Sequence, residues 1–183
     1  MVVTYSQIID TTKSVRKAKQ AILNGDYEKV SYGLYRVPGS SYSDIEIIFA
    51  RYKNIVLTMQ SAFEYYDLTD KNYEKYTVAF PSGSRIVKDD RLEQSFLNID
   101  TFYLGRIQVD YHGSTIYIYD KERMLIELIR HRNKLPYDYY KEIVNSYRKL
   151  VKEGKINFPL IMKYLKHFKN GERILERMLE VVV

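Results

Sequence analysis

The sequence predicts an α/β fold in which a small module of helices and β-ribbon precedes a mixed β-sheet flanked by helices and a helical C-terminal section. Residues 104–132 alternate as two short strands and then change to helical spacing. Two short helical patterns precede a ribbon pattern near the N-terminus, and helical spacing continues from residue 136 almost to the end. With 183 residues, 45% of them hydrophobic, the chain can bury one core or a small domain beside a larger one.

The central stretch is predicted to be a β-hairpin that runs directly into a helix. Apolar residues alternate along both strands, and His112-Gly113-Ser114 supplies the turn between them. Asp120 stands at the N-cap position, and Glu122 lies in the first helical turn. Basic residues crowd the last turn at residues 130–132, which marks the helix end.

The N-terminal region is predicted to contain helices over 5–13 and 14–24, followed by two strands around Ser31-Tyr32-Gly33. The pattern places four apolar residues of the second helix inward: Val15, Ala18, Ile22 and Leu23. The order helix, helix, β-ribbon is that of a winged helix-turn-helix. Because Pro38-Gly39-Ser40-Ser41 is the best boundary signal, we predict a DNA-binding domain at residues 1–38 and a second domain at 41–183.

Polar and basic residues of this module lie where a winged helix-turn-helix would contact DNA. The second helix would enter the major groove, where Arg16 or Gln20 could reach base edges, while the ribbon lies along phosphates. The predicted DNA-binding residues are Lys13, Arg16, Lys17, Lys19, Gln20, Lys29 and Arg36. The alternative is that these residues only solvate the polar face of a short amphipathic helix.

The net charge of +6 is concentrated at the two ends of the chain. Residues 121–183 contain 15 basic and 8 acidic residues, so a second surface could extend the DNA contact or meet a protein partner. The residues predicted for this surface are Arg123, Arg130, Arg132, Lys134, Arg148, Lys149 and Lys152. For Arg123 a structural role is the alternative, because its side chain could reach Asp120 or the carbonyl groups of a neighbouring strand.

The rest of the chain is predicted to build the second domain. Helices are expected over 44–53 and 61–66, and strands over 55–57, 76–80 and 92–97. Three more helices follow Arg132, with Pro136 opening the first of them and Gly154 ending it.

No catalytic, metal or cofactor site is predicted. The histidines are far apart in sequence, and the chain has no Cys for thiolate chemistry or disulfides. Asp120, Glu122 and Glu127 could suggest metal-assisted phosphoryl chemistry. Helix capping, however, explains Asp120 and Glu122 without chemistry. On a helix, Asp120 and Glu127 are close to two turns apart, and Glu122 points away from both. We therefore expect no enzyme. The absence of a long apolar run or secretory signal predicts a cytoplasmic protein without membrane contact.

Several of these segments resemble the AbiE-type (AbiEi) antitoxins, transcriptional regulators of type IV toxin–antitoxin systems in abortive phage infection. The shared features are Gly33-Leu34-Tyr35 before Pro38, the Ser-Ala-aromatic helix at 61–63, and the step from hairpin to helix at Asp120. The resemblance covers nearly the whole chain, with one departure: two rather than three helices precede the wing.

The resemblance implies an antitoxin that counteracts a nucleotidyltransferase-like toxin and represses its own operon by binding operator DNA. The alternative is a protein-interaction module that counteracts the toxin without sequence-specific DNA binding.

Overall fold

The computed structural model describes residues 1–111 and 114–183. The chain forms two compact units. Unit 1 comprises Met1–Asn54 together with Val109–Ile116, and unit 2 comprises Ile55–Gln108 together with Tyr117–Val183. The predicted turn residues His112 and Gly113 lie outside the described residues.

Unit 1 combines a three-stranded antiparallel sheet with three helices. Strand β3 is central, with β1 and β2 as its neighbours. The elements are β1 (Val2–Thr4), α1 (Tyr5–Thr12), α2 (Val15–Leu23), β2 (Glu28–Ser31), β3 (Leu34–Arg36) and α3 (Asp44–Arg51). Thr4 starts α1 with a reciprocal capping box to Gln7, and Lys13 ends it in the left-handed conformation at φ 58°.

The core of unit 1 is formed by aliphatic residues from every helix and from two strands. Ile8, Ala18 and Ile48 are completely or almost completely buried, and Val2 and Leu34 cluster with Ile47. The buried carboxylate of Glu46 accepts hydrogen bonds from the backbone N–H groups of Val2 (3.1 Å) and Ser43 (3.3 Å), which ties β1 to the start of α3.

Unit 2 contains helices and most of a mixed sheet; residues 109–111 and 114–116 of this sheet belong to unit 1. The five strands have the order β6-β5-β4-β8-β7; β5 pairs with β6 and β4 with β8 in parallel, whereas β4 and β5 are antiparallel. The strands are β4 (Val56–Leu57), β5 (Tyr76–Pro81), β6 (Leu92–Leu97), β7 (Arg106–Tyr111) and β8 (Ser114–Tyr119). The helices are α4 (Met59–Tyr65), α5 (Ile99–Phe102), α6 (Lys121–His131), α7 (Tyr137–Lys152), α8 (Phe158–Leu165) and α9 (Gly171–Val182), with a 3-10 turn at Arg132–Lys134.

Helix α6 supplies much of the core of unit 2. Its residues from 123 to 129 are all buried, and Tyr119, Tyr139 and Tyr147 are also fully buried. Asp120 caps α6 as predicted, because its Oδ1 accepts a hydrogen bond of 2.7 Å from the backbone N–H of Arg123.

The predicted α/β fold class is confirmed in the form of a mixed α+β architecture. The helix, helix, ribbon order is present, but β1 and α5 were not predicted. The prediction that Val15 and Leu23 face inward is wrong, because they are 51% and 81% exposed. Residues 38–41 lie inside unit 1, and the assignment of functions to domains 1–38 and 41–183 stays a prediction. Within residues 1–111 and 114–183, no helix combines the length and the apolar composition needed to cross a membrane.

Candidate nucleic-acid interface

Helix α2 carries exposed basic residues in unit 1. Ser14 caps the start of α2 by accepting a hydrogen bond from the N–H of Lys17, and Ala18 on the opposite side of the helix is completely buried. We call the exposed polar and basic residues of α2, together with Lys13 at the end of α1, the α2 face: Lys13, Arg16, Lys17, Lys19 and Gln20. The small buried Ala18 lets the helix lie close to the unit 1 core, which leaves the long basic side chains in solvent.

The cations of the α2 face have no ion-pair partner among the described residues, whereas its amide group is hydrogen-bonded. The Nε2 of Gln20 donates a hydrogen bond of 2.8 Å to the Oδ1 of Asn24, so the amide is already held in place. Within the described part of the chain, the cationic groups of Lys13, Arg16 and Lys17 make no ion pair, and the same is true of Lys19. These four cations are therefore available to an anionic partner.

The two basic residues predicted on the ribbon differ in their surroundings. Lys29 is exposed, but Arg36 is half-buried and pairs with Glu28 at 2.8 Å. Arg36 also donates a hydrogen bond of 3.0 Å to the carbonyl of Ser40 and lies over the ring of Tyr42. Its guanidinium thus stabilises the segment after β3, which reduces its capacity for contacting phosphate.

Sequence reasoning missed Arg51 in the same unit. This exposed side chain at the end of α3 donates a hydrogen bond of 2.8 Å to the Oγ of Ser31, close to the turn between β2 and β3. The two residues are twenty positions apart, so no local pattern could have indicated the contact.

Arg123 does not belong to a surface, and its prediction as a partner- or DNA-contacting residue is wrong. The side chain is 0% exposed and forms an ion pair of 2.8 Å with Glu127. Its Nη1 donates hydrogen bonds to the carbonyls of Thr101 (2.7 Å) and Leu104 (3.2 Å). The guanidinium also lies 4.9 Å from the ring centroids of both Tyr119 and Phe168. Arg123 therefore has a structural role, as the alternative expected, but its side chain bonds to carbonyls in and after α5 rather than to Asp120 or to a strand.

Glu127 is the centre of this buried charge network. Besides Arg123, its carboxylate binds Arg130 at 2.7 Å and His131 at 3.3 Å. Burial opposes ionisation, but the hydrogen bond from His131 and the charges of Arg123 and Arg130 lower the pKa of Glu127 to about 2. Glu127 thus stays ionised as the partner of the buried arginine, which gives it a structural role.

Two of the other residues predicted for the second basic surface, Arg130 and Arg148, are exposed but have partners within unit 2. Arg130 pairs with Glu127 and lies over the ring of Phe168, and Arg148 donates a hydrogen bond of 2.7 Å to the carbonyl of Val181. The remaining members, which are exposed, are Arg132, Lys134, Lys149 and Lys152.

A further basic group at the corner between α8 and α9 was not singled out from the sequence. Lys166, Lys169 and Arg173 line an open groove of about 740 Å³, and Arg177 lines the cavity beside it. Gly171 is needed at this corner because a Cβ there would overlap the backbone carbonyl oxygen of Leu165. The sequence shows an excess of basic residues after position 120. It does not show that these four side chains lie close together, because that depends on the turn between α8 and α9.

The carboxylates considered for metal chemistry each have another partner. Asp120 caps α6 with Oδ1 and accepts a hydrogen bond of 2.6 Å from the hydroxyl of Tyr164 with Oδ2. Burial raises the pKa of Asp120, and the hydrogen bond from Tyr164 opposes that rise. Glu122 accepts a hydrogen bond from the backbone N–H of Asn157. In the described part of the chain, no group of three or more His, Cys, Asp or Glu side chains is arranged to hold a metal ion.

A comparison with protein-family models found no match, and a comparison with curated proteins found none either. Among solved structures, the fold is similar to that in a crystal structure of the RV2827C protein from Mycobacterium tuberculosis. The TM-score is 0.59 at 15% sequence identity, and the match covers 100% of this chain and 75% of the other. At this identity the likeness concerns the fold alone.

Proposed function

We propose that this protein is the antitoxin of a type IV toxin–antitoxin system, and that it represses its own operon by binding operator DNA through unit 1. The observation that carries the DNA-binding part is the α2 face. Arg16, Lys17 and Lys19 extend from one short helix beside Lys13, and none of the four has an ion-pair partner among the described residues. The antitoxin part is supported by the sequence resemblance to the AbiE-type antitoxins.

In this proposal α2 enters the major groove and the turn between β2 and β3 lies along the phosphate backbone. Lys13, Lys17 and Lys19 neutralise phosphates, which makes the affinity salt-dependent because bound counterions are released. Arg16 reaches a base edge, where its planar guanidinium suits the two acceptors of guanine. Lys29 extends the phosphate contact along the ribbon.

Unit 2 counteracts the toxin in this proposal, and the protein acts without catalysis. The exposed cations Arg132, Lys134, Lys149 and Lys152 supply a surface for an acidic partner. The second candidate is a protein-interaction module that lacks sequence-specific DNA binding. The exposed cations of unit 2 favour it, because they could meet an acidic protein partner without any contribution from α2.

The DNA-binding part is tested with the double variant Arg16→Ala, Lys17→Ala and a duplex from the region immediately upstream of the protein's own coding sequence. We expect weaker binding, because the variant loses both the base contact of Arg16 and the phosphate contact of Lys17. The slope of log affinity against log salt should be smaller by roughly 0.9, the amount lost for one phosphate contact. A matched control removes two exposed cations of unit 2, Lys141→Ala and Lys155→Ala, and should leave the slope unchanged. An unchanged slope in the α2 variant would remove the assignment.

The antitoxin part is tested by co-expression with the product of an adjacent nucleotidyltransferase-like gene. The full-length protein should restore growth of cells that express this toxin. Restored growth combined with no binding of the upstream duplex by the unaltered protein would favour the second candidate. Failure to restore growth would reject both.

A further inference from the structure

Two apolar side chains lie on the exposed side of α2, among its cations. Val15 is 51% exposed at the first position of the helix, and Leu23 is 81% exposed at the last. Leu23 follows Lys19 by four residues and Arg16 by seven, so these three side chains extend from the same side of the helix. Exposed apolar residues are common singly, but here both ends of a nine-residue helix carry one.

Neither residue is needed to fill the core of unit 1. The inward side of α2 is occupied by the fully buried Ala18, with Ala21 and Ile22 half-buried beside it. The conformation that exposes Leu23 is fixed locally, because the N–H of Asn24 bonds to the carbonyl of Gln20 and closes the helix. Val15 follows the capping residue Ser14, so its position is also fixed by the helix start.

The charge around these side chains favours a polyanionic partner over an apolar protein surface. Arg16, Lys17 and Lys19 lie between Val15 and Leu23 in sequence, and no acidic residue occurs in α2. In the major groove of DNA, the 5-methyl group of thymine is the apolar feature that the base edges present. A helix that carries both free cations and exposed aliphatic groups therefore matches a groove with phosphates at its rims and thymine methyl groups on its floor.

We propose that Val15 and Leu23 contact thymine 5-methyl groups in the major groove, so that these two residues of α2 recognise thymine at defined operator positions. This inference rests on the proposed DNA-binding function. The two residues are eight positions apart, which corresponds to about 12 Å along a helix. Because base pairs are stacked at about 3.4 Å, the two contacts fall roughly three to four base steps apart when α2 follows the groove.

The test compares the binding of full-length protein to two versions of the duplex from upstream of its coding sequence, one with thymine and one with uracil throughout. Uracil keeps every hydrogen-bonding group of thymine and lacks only the methyl group. We expect the unaltered protein to bind the uracil duplex more weakly, by about fourfold for each buried methyl group removed. The double variant Val15→Ala, Leu23→Ala should bind both duplexes with nearly equal affinity.

A matched control separates methyl contacts from general affinity. Lys17→Ala removes a charge from the same helix, so it should weaken binding to both duplexes equally and keep the preference for thymine. Because Val15 and Leu23 are exposed, the double variant should unfold at nearly the same temperature as the unaltered protein, which checks that the helix is intact.

Each outcome bears on a different statement. If the unaltered protein binds both duplexes equally well, or if the double variant keeps the preference for thymine, the inference is overturned while DNA binding stands. If the protein binds neither duplex, the proposed DNA-binding function fails and the inference fails with it. A preference for thymine that disappears only in the double variant supports the inference.

Discussion

Helices α2 and α6 both carry arginine and lysine on an amphipathic pattern, yet they use these residues in opposite ways. In α2 the cations extend into solvent and make no ion pair within the described residues, whereas in α6 Arg123 is completely buried and bound to Glu127. The difference shows that a basic residue in a helical pattern indicates a binding surface only when the helix leaves it without internal partners.

The cause of the difference lies outside each helix. Arg123 is buried because groups distant in sequence surround it: the carbonyls of Thr101 and Leu104 accept its hydrogen bonds, and the ring of Phe168 covers its guanidinium. Nε and Nη1 of Arg123 donate hydrogen bonds, whereas Nη2 makes none among the described residues and lies 2.8 Å from the Glu127 carboxylate as an ion pair. Partners of this kind offset the cost of removing a charged arginine from water. Among the described residues the cations of α2 have no such acceptors, so they remain hydrated.

The largest expected effect comes from breaking the buried pair. Glu127→Ala should lower the free energy of unfolding by about 3–5 kcal/mol, because it leaves the buried charge of Arg123 without a counter-ion. Urea denaturation measures the change. The matched control is Glu153→Ala, which removes an exposed carboxylate paired with Lys155 and should cost less than about 0.5 kcal/mol. Similar losses in the two variants would contradict the role assigned to Glu127.

The carboxylate of Glu127 should make the free energy of unfolding depend on pH in the acid range. Its pKa is lowered from 4.5 to about 2 in the folded protein, so the unfolded chain binds the proton more tightly. The stabilisation is therefore fully present above about pH 4.5 and is lost as the pH falls towards about 2. Between about pH 5 and pH 3, the protein should lose about 2 kcal/mol more than the Glu127→Gln variant.

Denaturation curves at several pH values measure this difference. Because the other carboxylates titrate in both proteins, their contributions cancel in the comparison. Parallel loss of stability in the two proteins would show that Glu127 is not held ionised by its three partners.

A third effect concerns the close approach of the chain to Arg123. Gly105 has φ +74°, and a Cβ at this position would lie 2.6 Å from the Cβ of Arg123. Gly154 has a similar φ of +65°, and no atom of the described residues lies within 4 Å of a Cβ added there. Gly154→Ala therefore measures the cost of the left-handed backbone conformation alone. We expect Gly105→Ala to cost about 2 kcal/mol and Gly154→Ala about 1 kcal/mol. Thermal unfolding measures both, and equal costs would show that contact with Arg123 is unimportant.

Features determined by neighbouring residues could be predicted from the sequence, whereas those that depend on distant contacts could not. The cap at Asp120 was predicted because it depends on residues within one helical turn. Strand β1 was missed because three residues become a strand only by pairing with β3, more than thirty positions later. The exposure of Val15 and Leu23 also escaped the pattern, since helical spacing does not reveal which side of a short helix meets the core.

The same limit applies to the candidate interface. The basic residues of α2 were identified correctly as exposed, because a polar helical face lies opposite the buried Ala18. The pairing of Arg36 with Glu28 could not be predicted, since it becomes visible only when β2 and β3 are side by side; its contact with DNA stays a prediction. The group at the α8–α9 corner was missed because its members converge through a turn that the spacing of charges does not show.

The smallest expected effect on stability is at α2, where it sharpens the contrast with α6. Lys19→Ala should change the free energy of unfolding by less than about 0.5 kcal/mol, because the exposed ammonium makes no ion pair among the described residues. If α2 binds DNA as proposed, the same variant should weaken binding and reduce the salt slope by roughly 0.9 for one phosphate contact. A residue whose removal costs binding but not stability serves a partner, whereas Glu127 should show the reverse. A loss of stability at Lys19 comparable to that at Glu127 would mean that α2 is held by its cations and would remove the distinction between the two helices.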